Sequence, residues 1–293
     1  MRIAIYGKKF DADFDNYIIK MFDILEKAKI EICVYEAFFE YIQKRLSLKK
    51  DGITFFSSQK GLTGNYDIFL SIGGDGTFLE SVAFVKDKGI PIAGINSGRL
   101  GFLANISKKE METALNKMIS KSYSFEEREL IELETAEDQF KNNNFALNEI
   151  TVQKTDSSSM ITIHVYLDGQ FLTTYWADGL IISTPTGSTA YSLSAGGPIV
   201  APDAKNYIIT PLAPHNLTIR PIVVPNHHNL TLKIEGRDQN YLVSLDDRHK
   251  VLSNSVELKI KKSKFKIKIL KHDNRTFYST LREKLMWGLD KRN

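Results

Sequence analysis

Short apolar runs alternate with longer amphipathic segments over roughly the first 120 residues of the chain. Four runs have the length and composition of buried strands: Arg2–Gly7, Glu31–Tyr35, Ile68–Gly73 and Pro91–Ile95. Between the first two, apolar residues recur at helical spacing and predict a helix with one buried face, namely Tyr17, Ile18, Met21, Phe22, Leu25 and Ala28. This alternation predicts an α/β domain with an open, mostly parallel sheet and covering helices.

Two further helices are predicted from local signals. Ser107 is followed three residues later by Glu110, which is the spacing of a capping box, so we expect a helix to begin there. Near the end of the chain, Phe277–Trp287 has a helical pattern and is expected to form a closing helix that returns to the first domain.

From about Phe125 the pattern changes to strand-like runs, which predicts a β-rich half. The predicted strands are Glu129–Glu134, Phe145–Gln153, Met160–Leu167, Gln170–Trp176, Leu180–Ser183, Asn229–Glu235, Tyr241–Leu245, Val256–Ile260 and Phe265–Leu270. Asp168-Gly169 separates two of these runs and predicts a type I′ hairpin turn, because both central residues of that turn need positive φ.

The change of pattern predicts two domains in the 293 residues. We expect an α/β domain over residues 1–124, completed by 271–293, and a β-rich domain over 125–270. The composition is 42% hydrophobic and 25% charged, which is typical of folded globular proteins and excludes a disordered or fibrous chain.

Net charge and cysteine content limit the kinds of partner and metal site that the chain is expected to have. The formal net charge is +4 and charges of both signs are mixed along the chain, so we expect neither nucleic acid nor membrane as a partner. Cys33 is the single cysteine, which excludes an intrachain disulfide and a cysteine cluster for zinc. The apolar run at the start is too short for a signal peptide, and we expect a cytoplasmic protein.

A glycine-rich turn, Gly73-Gly74-Asp75-Gly76-Thr77, joins the strand Ile68–Ile72 to a predicted helix. Glycines at such a turn let backbone N–H groups approach a phosphate, and the helix N-terminus that follows favours negative charge. The expected phosphate contacts are Gly73, Gly74, Gly76 and Thr77. Asp75 would repel a phosphate, so we expect a metal ion or a substrate hydroxyl as its partner. The alternative is a plain tight turn in which Thr77 caps the helix.

A second loop, Asn96–Ala104, follows the next predicted strand and therefore lies at the same carboxyl edge of the sheet, where ligands bind in open α/β sheets. Arg99 is a candidate for neutralising phosphate oxygens, and Phe102 is a candidate for packing against a purine. The alternative is a glycine-rich turn with Phe102 in the core.

Two segments of the second half carry candidate ligand contacts. Asn148-Glu149 is a polar pair inside an apolar run, which indicates either binding or a solvated strand edge. Asp178–Pro198 is rich in hydroxyl residues and glycines, so its backbone can wrap closely round a polar ligand, and Tyr191 can stack on a planar ring. A surface loop is the alternative. Asp246-Asp247 is expected to be a solvated turn, with a second acidic ligand contact as the alternative.

Taken together, these segments resemble the motifs of the NAD kinase family in residue identity and in order along the chain, over roughly residues 68 to 200. Gly73–Thr77 resembles its acidic glycine motif, Asn96–Ala104 its second loop, Asn148-Glu149 its polar pair and Asp178–Pro198 its long signature. The long segment is specific, whereas the glycine motif alone also occurs in lipid kinases of the diacylglycerol and sphingosine type.

The resemblance implies a phosphotransferase that moves the γ-phosphate of ATP to the 2′-hydroxyl of the adenosine ribose of NAD, forming NADP. It implies a divalent metal, commonly Mg²⁺, a homodimer or homotetramer, and an NAD site between an α/β and a β-rich domain. It makes Asp75 the catalytic residue and assigns no metal ligands. The implied NAD contacts are Asp75, Gly76, Phe102, Asn148, Glu149, Asp178, Thr189, Ala190, Tyr191 and Ala213.

One departure from the family pattern and two other functions stay open. Some members carry a basic residue two positions before Asp178, where this chain has Trp176, so the resemblance does not assign a preference between NAD and NADH. The alternative functions are a lipid kinase, which needs an apolar groove for acyl chains, and a regulator that binds NAD(H) without turnover. Thr184–Tyr191 is too polar for such a groove.

Overall fold

The computed structural model describes residues 1–48, 51–155, 159–271 and 275–288. The chain divides into two units, one formed by Met1–Glu127 with Ile267–Asn293 and the other by Arg128–Lys266. Each unit has a hydrophobic core of its own. No helix within the described ranges is long and apolar enough to cross a membrane.

A parallel sheet forms the centre of the first unit. Its strands are β1 Arg2–Gly7, β2 Glu31–Tyr35, β3 Thr54–Phe56, β4 Ile68–Ile72, β5 Ile92–Asn96 and β6 Ile106–Ser107. They pair in the order β3-β2-β1-β4-β5-β6. The helices are α1 Asp15–Lys27, α2 Glu36–Leu46, α3 Asp75–Val85, α4 Met111–Ile119 and the closing helix α5 Phe277–Leu285.

The burial pattern of this unit follows from its sequence. Strands β4 and β5 are buried at every position, as expected where helices cover both faces of a parallel sheet. In α1 the buried residues are Ile18, Met21, Phe22 and Leu25, so the face predicted from helical spacing is confirmed.

The second unit consists mainly of antiparallel strands. They are β7 Phe125–Glu134, β8 Phe145–Ala146, β9 Glu149–Lys154, β10 Ile161–Leu167, β11 Gln170–Ala177, β12 Gly179–Ser183, β13 Asn206–Leu212, β14 Ile222–Pro225, β15 Leu230–Glu235, β16 Asn240–Leu245, β17 Arg248–Ser253 and β18 Leu258–Leu270. One sheet has the order β14-β13-β12-β9-β16-β17, and β11, β10, β15 and β18 pair in that order in the other. From Ile267 onward β18 belongs to the first unit, where Ile269 pairs with Ile92.

The predicted fold class is confirmed in both halves. The predicted hairpin turn is also present, because Asp168 and Gly169 join β10 to β11 with φ values of 48° and 83°. These are the two positive φ angles that a type I′ turn requires.

Several predicted boundaries were wrong. The runs Val256–Ile260 and Phe265–Leu270 form one strand, β18, in which the alternation of buried and exposed positions shifts by one residue at Lys261 and Lys262. Conversely, Phe145–Gln153 is broken after β8, where Leu147 and Asn148 leave the strand. The closing helix ends at Leu285 rather than at Trp287.

The predicted capping box at Ser107 was also wrong. Ser107 ends β6, and α4 begins only at Met111 with Glu110 before it in a helical conformation. The Glu110 carboxylate does accept a bond from the Ser107 backbone N–H at 3.1 Å, but Ser107 does not cap the helix in return. The pair therefore closes the turn that precedes the helix.

Candidate active site

In the first unit, the two loops that follow β4 and β5 meet at the carboxylate of Asp75. Asp75 is the first residue of α3, and Gly74 precedes it in an extended conformation. Its Oδ2 accepts a bond from the N–H of Phe102 at 2.8 Å, and its Oδ1 accepts bonds from Leu103 at 3.0 Å and Ala104 at 2.9 Å. Three consecutive N–H groups thus fix one carboxylate at the N-terminus of a helix, where its charge is favourable.

This arrangement corrects two expectations. Backbone N–H groups bind Asp75, so a metal ion or a hydroxyl is not its only favourable partner. Its side chain remains 30% exposed, so a substrate group can still reach it. Thr77 does not cap α3, because Gly74 holds the cap position without a side-chain bond and Thr77 is buried.

The position of the Asp75 carboxylate depends on the close approach of Gly101. A Cβ atom built on Gly101 would lie 1.8 Å from Asp75 Oδ1 and 2.4 Å from its Cγ. Gly98 in the same loop has open space where its Cβ would be. A side chain at position 101 is therefore excluded by the carboxylate, which is a specific reason for glycine there.

The second loop holds its predicted ligand residues in different environments. Asn96 Oδ1 accepts a bond from the Gly98 N–H at 2.8 Å, which shapes the turn. Arg99 is exposed and forms no ion pair with any residue in the described part of the chain. Phe102 is half-buried and lies 6.3 Å from the ring of Phe277, so it does not belong to the core as the alternative required.

In the second unit, a buried carboxylate organises the predicted polar pair. Asp246 Oδ2 accepts a bond from the Leu147 N–H at 2.8 Å, and its Oδ1 accepts bonds from Asn148 at 2.9 Å and Glu149 at 3.1 Å. The Asp246 side chain is only 2% exposed, so the predicted solvated turn was wrong for this residue. Asn148 and Glu149 are also buried, which excludes a solvated strand edge.

Glu149 is the unusual ionisable group of this cluster. Burial, together with the nearby charge of Asp246, raises its pKa to about 8, against an opposing hydrogen bond from the Tyr191 backbone. Its Oε2 is buried and has no hydrogen-bond partner among the described residues. Since Asp246 has three N–H donors and Glu149 does not, we assign the negative charge to Asp246 and the proton to Glu149 at neutral pH.

Hydroxyl side chains at the end of β12 and in the segment that follows form hydrogen bonds with backbone groups. Thr184 Oγ1 donates to the Leu147 carbonyl at 2.6 Å, and Ser183 Oγ donates to the Thr184 carbonyl at 2.9 Å. Ser188 Oγ donates to the carbonyl of Val200 at 3.1 Å and accepts from its N–H at 3.0 Å. These buried hydroxyls hold the loop in shape and leave ligand contacts to more accessible residues.

Two of the accessible residues, Tyr191 and Asp178, contact neighbours that the sequence did not single out. Tyr191 is 40% exposed, and its hydroxyl accepts a bond from Gln153 Nε2 at 3.1 Å. The carboxylate of Asp178 lies 2.7 Å from Lys154 Nζ. Thr189 and Ala190 are half-buried, and Ala213 is exposed with a φ of 43°.

Comparison with known proteins agrees with this geometry. The ATP-NAD kinase N-terminal domain matches residues 4–123, and the ATP-NAD kinase C-terminal domain matches residues 147–272. The chain belongs to the NAD kinase family. The NAD kinase of Cytophaga hutchinsonii is 48% identical over 293 residues and that of Bacteroides fragilis 44% over 292, each match covering 100% of both chains.

Two solved structures share the fold. Yeast NADH kinase, complexed with NADH, has a TM-score of 0.88 at 24% identity, with 99% of this chain and 89% of that chain covered. An NAD kinase from Archaeoglobus fulgidus, in complex with ATP, has a TM-score of 0.76 at 27% identity, with 98% and 99% covered. The predicted family is confirmed, and neither alternative function is favoured.

Besides Gln153, three polar residues of this NAD kinase family member were not assigned to the candidate site by sequence reasoning. Asp246 was assigned to a solvated turn, with a ligand contact only as the alternative, and Lys154 carried no signal because a lysine at the end of a strand is ordinary. Lys284 lies in the closing helix α5, and its Nζ is 3.7 Å from Asp75 Oδ2. The amphipathic pattern of α5 was visible in the sequence, but its contact with the glycine loop was not.

The raised pKa of Glu149 predicts a pH-dependent stability that Glu149→Gln removes. From the ordinary value of 4.5 to about pH 8, the folded protein holds a proton that the unfolded chain releases, so stability falls as pH rises through this window. The shift corresponds to a cost of order 3–5 kcal/mol at pH 8. Urea unfolding at pH 5.5, 7 and 8.5 is expected to show a smaller loss of stability for the variant.

Glu137→Gln is the matched control, because Glu137 is an exposed glutamate in the same unit. It should keep the wild-type pH dependence. If Glu149→Gln and wild type lose stability in parallel between pH 5.5 and 8.5, Glu149 does not hold the proton.

Proposed function

We propose that this protein transfers the γ-phosphate of ATP to the 2′-hydroxyl of the adenosine ribose of NAD, forming NADP and ADP. The observation that carries this proposal is the position of Asp75 in a member of the NAD kinase family. Its partly exposed carboxylate is fixed by three N–H groups at the start of α3. Such a carboxylate is positioned to bind a hydroxyl and to take its proton.

In the proposed reaction, Asp75 orients the 2′-hydroxyl and accepts its proton. A bond forms between the 2′-oxygen and the γ-phosphorus, and the bond from that phosphorus to the β-phosphate oxygen breaks, so ADP leaves with the electron pair. Because the transition state of phosphoryl transfer is loose, positioning and charge stabilisation carry most of the catalysis. The N–H groups of Gly74, Gly76 and Thr77 and the side chain of Arg99 are the proposed phosphate contacts. The expected contact from the Gly73 N–H is corrected, because that group donates to the Ile95 carbonyl at 3.0 Å.

A cavity of about 490 Å³ at the carboxyl ends of β1 and β2 is the proposed site for the base of ATP. Aromatic side chains line it together with two lysines, namely Tyr6, Tyr35, Phe38, Tyr41, Lys8 and Lys9. The Lys8 N–H donates to the carbonyl of Ile72 at 3.4 Å, so this cavity adjoins the strand that enters the glycine loop. Aromatic faces suit a purine, and lysines suit phosphates.

For NAD, we propose contacts from residues in each unit. In the first unit these are Asp75, Gly76 and Phe102, with Phe102 packing against adenine. In the second unit, Asn148 and Glu149 bind the adenosine half, and the remaining proposed contacts surround the nicotinamide half, namely Asp178, Thr189, Ala190, Tyr191 and Ala213. The unpartnered Oε2 of Glu149 supports this assignment, because a buried polar atom without a partner is costly unless a ligand satisfies it.

We further propose Mg²⁺ as the companion ion, a cytoplasmic location and a homodimeric or homotetrameric assembly. No group of three or more metal-binding side chains gathers within the described ranges. Mg²⁺ keeps several waters and is commonly held by substrate phosphates, so the phosphates of ATP and water are its proposed ligands. The free, buried Cys33 supports a reducing compartment.

A coupled assay of NADP formation tests the proposal. The purified protein is incubated with Mg²⁺ and NAD, and the phosphoryl donor is ATP or inorganic polyphosphate. Parallel reactions replace NAD with NADH or with diacylglycerol. We expect NADP with ATP as donor. Phosphate transfer to diacylglycerol but not to NAD or NADH would identify a lipid kinase, and NAD binding without any turnover would identify a regulator.

Tyr191→Ala is expected to raise the KM for NAD while changing the KM for ATP little. The exposed ring of Tyr191 is proposed to contact the dinucleotide, and an aromatic contact contributes about 0.5–1.5 kcal/mol beyond its buried area. This corresponds to a change of roughly 2- to 13-fold in KM. Steady-state kinetics with each substrate varied in turn measure it.

Ala37→Phe is the reciprocal control, because Ala37 is exposed and lines the cavity proposed for the base of ATP. It should raise the KM for ATP and leave the KM for NAD close to wild type. Equal increases in both KM values for Tyr191→Ala would instead mean that the loop after β12 loses its structure.

A further inference from the structure

The closing helix places an ammonium group beside the proposed catalytic carboxylate. Lys284 Nζ lies 3.7 Å from Asp75 Oδ2 and 4.8 Å from the centre of the Phe102 ring. Phe277, at the start of the same helix, packs against Phe102 with ring centres 6.3 Å apart. The first and last turns of α5 therefore both contact the loop that holds Asp75.

The start of this helix is fixed by its own contacts. Thr276 and Ser279 form a capping box, in which Thr276 Oγ1 accepts from the Ser279 N–H at 3.1 Å and Ser279 Oγ accepts from the Thr276 N–H at 2.9 Å. Arg275, just before the helix, lies 3.3 Å from the Glu110 carboxylate. These contacts locate the helix and hence Lys284 relative to the glycine loop.

The ion pair itself does not explain the position of Lys284. The side chains of Lys284 and Asp75 are 35% and 30% exposed, and an ion pair this accessible contributes little to stability. Asp75 is already held by three N–H groups. The long contact and the accessible head group leave the ammonium free to move to a stronger anionic partner, while the Phe102 face keeps it near the loop.

The phosphoryl group is such a partner. A transferring γ-phosphate carries negative charge on three oxygens, and that charge must be balanced next to the attacking hydroxyl. The glycine loop Gly73–Thr77 contains no basic residue. A lysine beside the carboxylate that binds the attacking hydroxyl can supply this charge as a flexible point cation.

We propose that Lys284 binds the γ-phosphate of ATP, exchanging its contact with Asp75 for the phosphate when ATP is present. This inference rests on the proposed function, because it assigns a role to Lys284 in the same transfer. It makes the closing helix part of the donor site, and it separates recognition of ATP from recognition of ADP, which lacks the γ-phosphate.

The test is the preference for ATP over ADP, measured by calorimetric titration in Mg²⁺ with wild type, Lys284→Met, Lys284→Arg and Arg282→Met. Lys284→Met keeps the apolar stem and removes the charge, so ATP affinity should fall about 10- to 100-fold while ADP affinity changes little. Lys284→Arg keeps the charge and should retain most of the preference. Arg282→Met is the matched control, since Arg282 is an exposed cation in the same helix, and it should behave as wild type.

An unchanged ratio of ATP to ADP affinity in Lys284→Met overturns the proposal, and so does an equal loss for both nucleotides, which indicates a structural role. Thermal unfolding is measured on every variant, and Lys284→Gln takes the place of Lys284→Met if the latter does not fold. Because the titration needs no turnover, a wild-type protein that forms no NADP would refute the proposed function and leave the affinity ratio to decide on Lys284.

Discussion

Asp75→Asn is expected to lower kcat for NADP formation by about 10²- to 10⁴-fold, the usual contribution of general acid–base assistance. The amide can still bind a hydroxyl but does not take its proton. The structure adds a smaller effect, because Oδ1 would keep its bonds from Leu103 and Ala104 while the new amide group faces the N–H of Phe102. Two donors would then oppose each other, which costs of order 1–3 kcal/mol in loop stability.

Binding and turnover must therefore be measured on the same folded preparation. Calorimetry with NAD and with ATP is expected to give affinities near wild type, so that the loss falls in kcat. If ATP binding in Mg²⁺ is lost while NAD binding remains, Asp75 acts as a metal ligand. Retained binding with turnover within about threefold of wild type would remove Asp75 from the mechanism, because proton acceptance is expected to contribute far more.

The sequence predicted the elements that depend on local periodicity. The buried face of α1 follows from residues three and four positions apart, and the turn at Asp168-Gly169 follows from two residues that tolerate positive φ. Asp75 also stood out locally, as a carboxylate among glycines between a strand and a helix. The sequence could not reveal that the partners of Asp75 are N–H groups from the next loop.

The groups that support the candidate site depend on long-range pairing. Asp246 reaches Asn148 across 98 positions of the chain because β16 pairs with β9, with Leu245 opposite Ile150. Only this register turns two adjacent aspartates into one buried residue and one accessible residue. Lys284 likewise meets Asp75 only after the closing helix has packed on the first unit. A sequence pattern identifies candidate functional residues more readily than the contacts that hold them.

A second large effect is expected from a change that removes no functional group. Gly101→Ala should lower kcat by about 10²-fold, the cost typical of displacing a catalytic group by about 1 Å. The new methyl group would need the space of Asp75 Oδ1, which lies 1.8 Å from the ideal Cβ position. The Asp75 side chain is short and bound through both oxygens. The clash with the new methyl group can therefore be relieved only if the carboxylate leaves its N–H donors or the loop moves away from it. Gly98→Ala is the matched control, since nothing lies within 4 Å of its Cβ position, and it should retain wild-type kcat.

The double variant Asp75→Asn/Gly101→Ala separates displacement of the Asp75 carboxylate from other effects of Gly101→Ala. If Gly101→Ala acts by displacing the carboxylate, it should lower kcat little further when Asp75→Asn is already present, because the group whose position it disturbs no longer accepts the proton. The effects of two independent sites would instead multiply in kcat, and their free energies would add. We expect the double variant to lie within about fivefold of Asp75→Asn alone, provided that circular dichroism and thermal unfolding show a folded protein. A further 10²-fold loss would mean that Gly101 serves the loop or its phosphate contacts, and that the three N–H groups are not what positions Asp75 for catalysis.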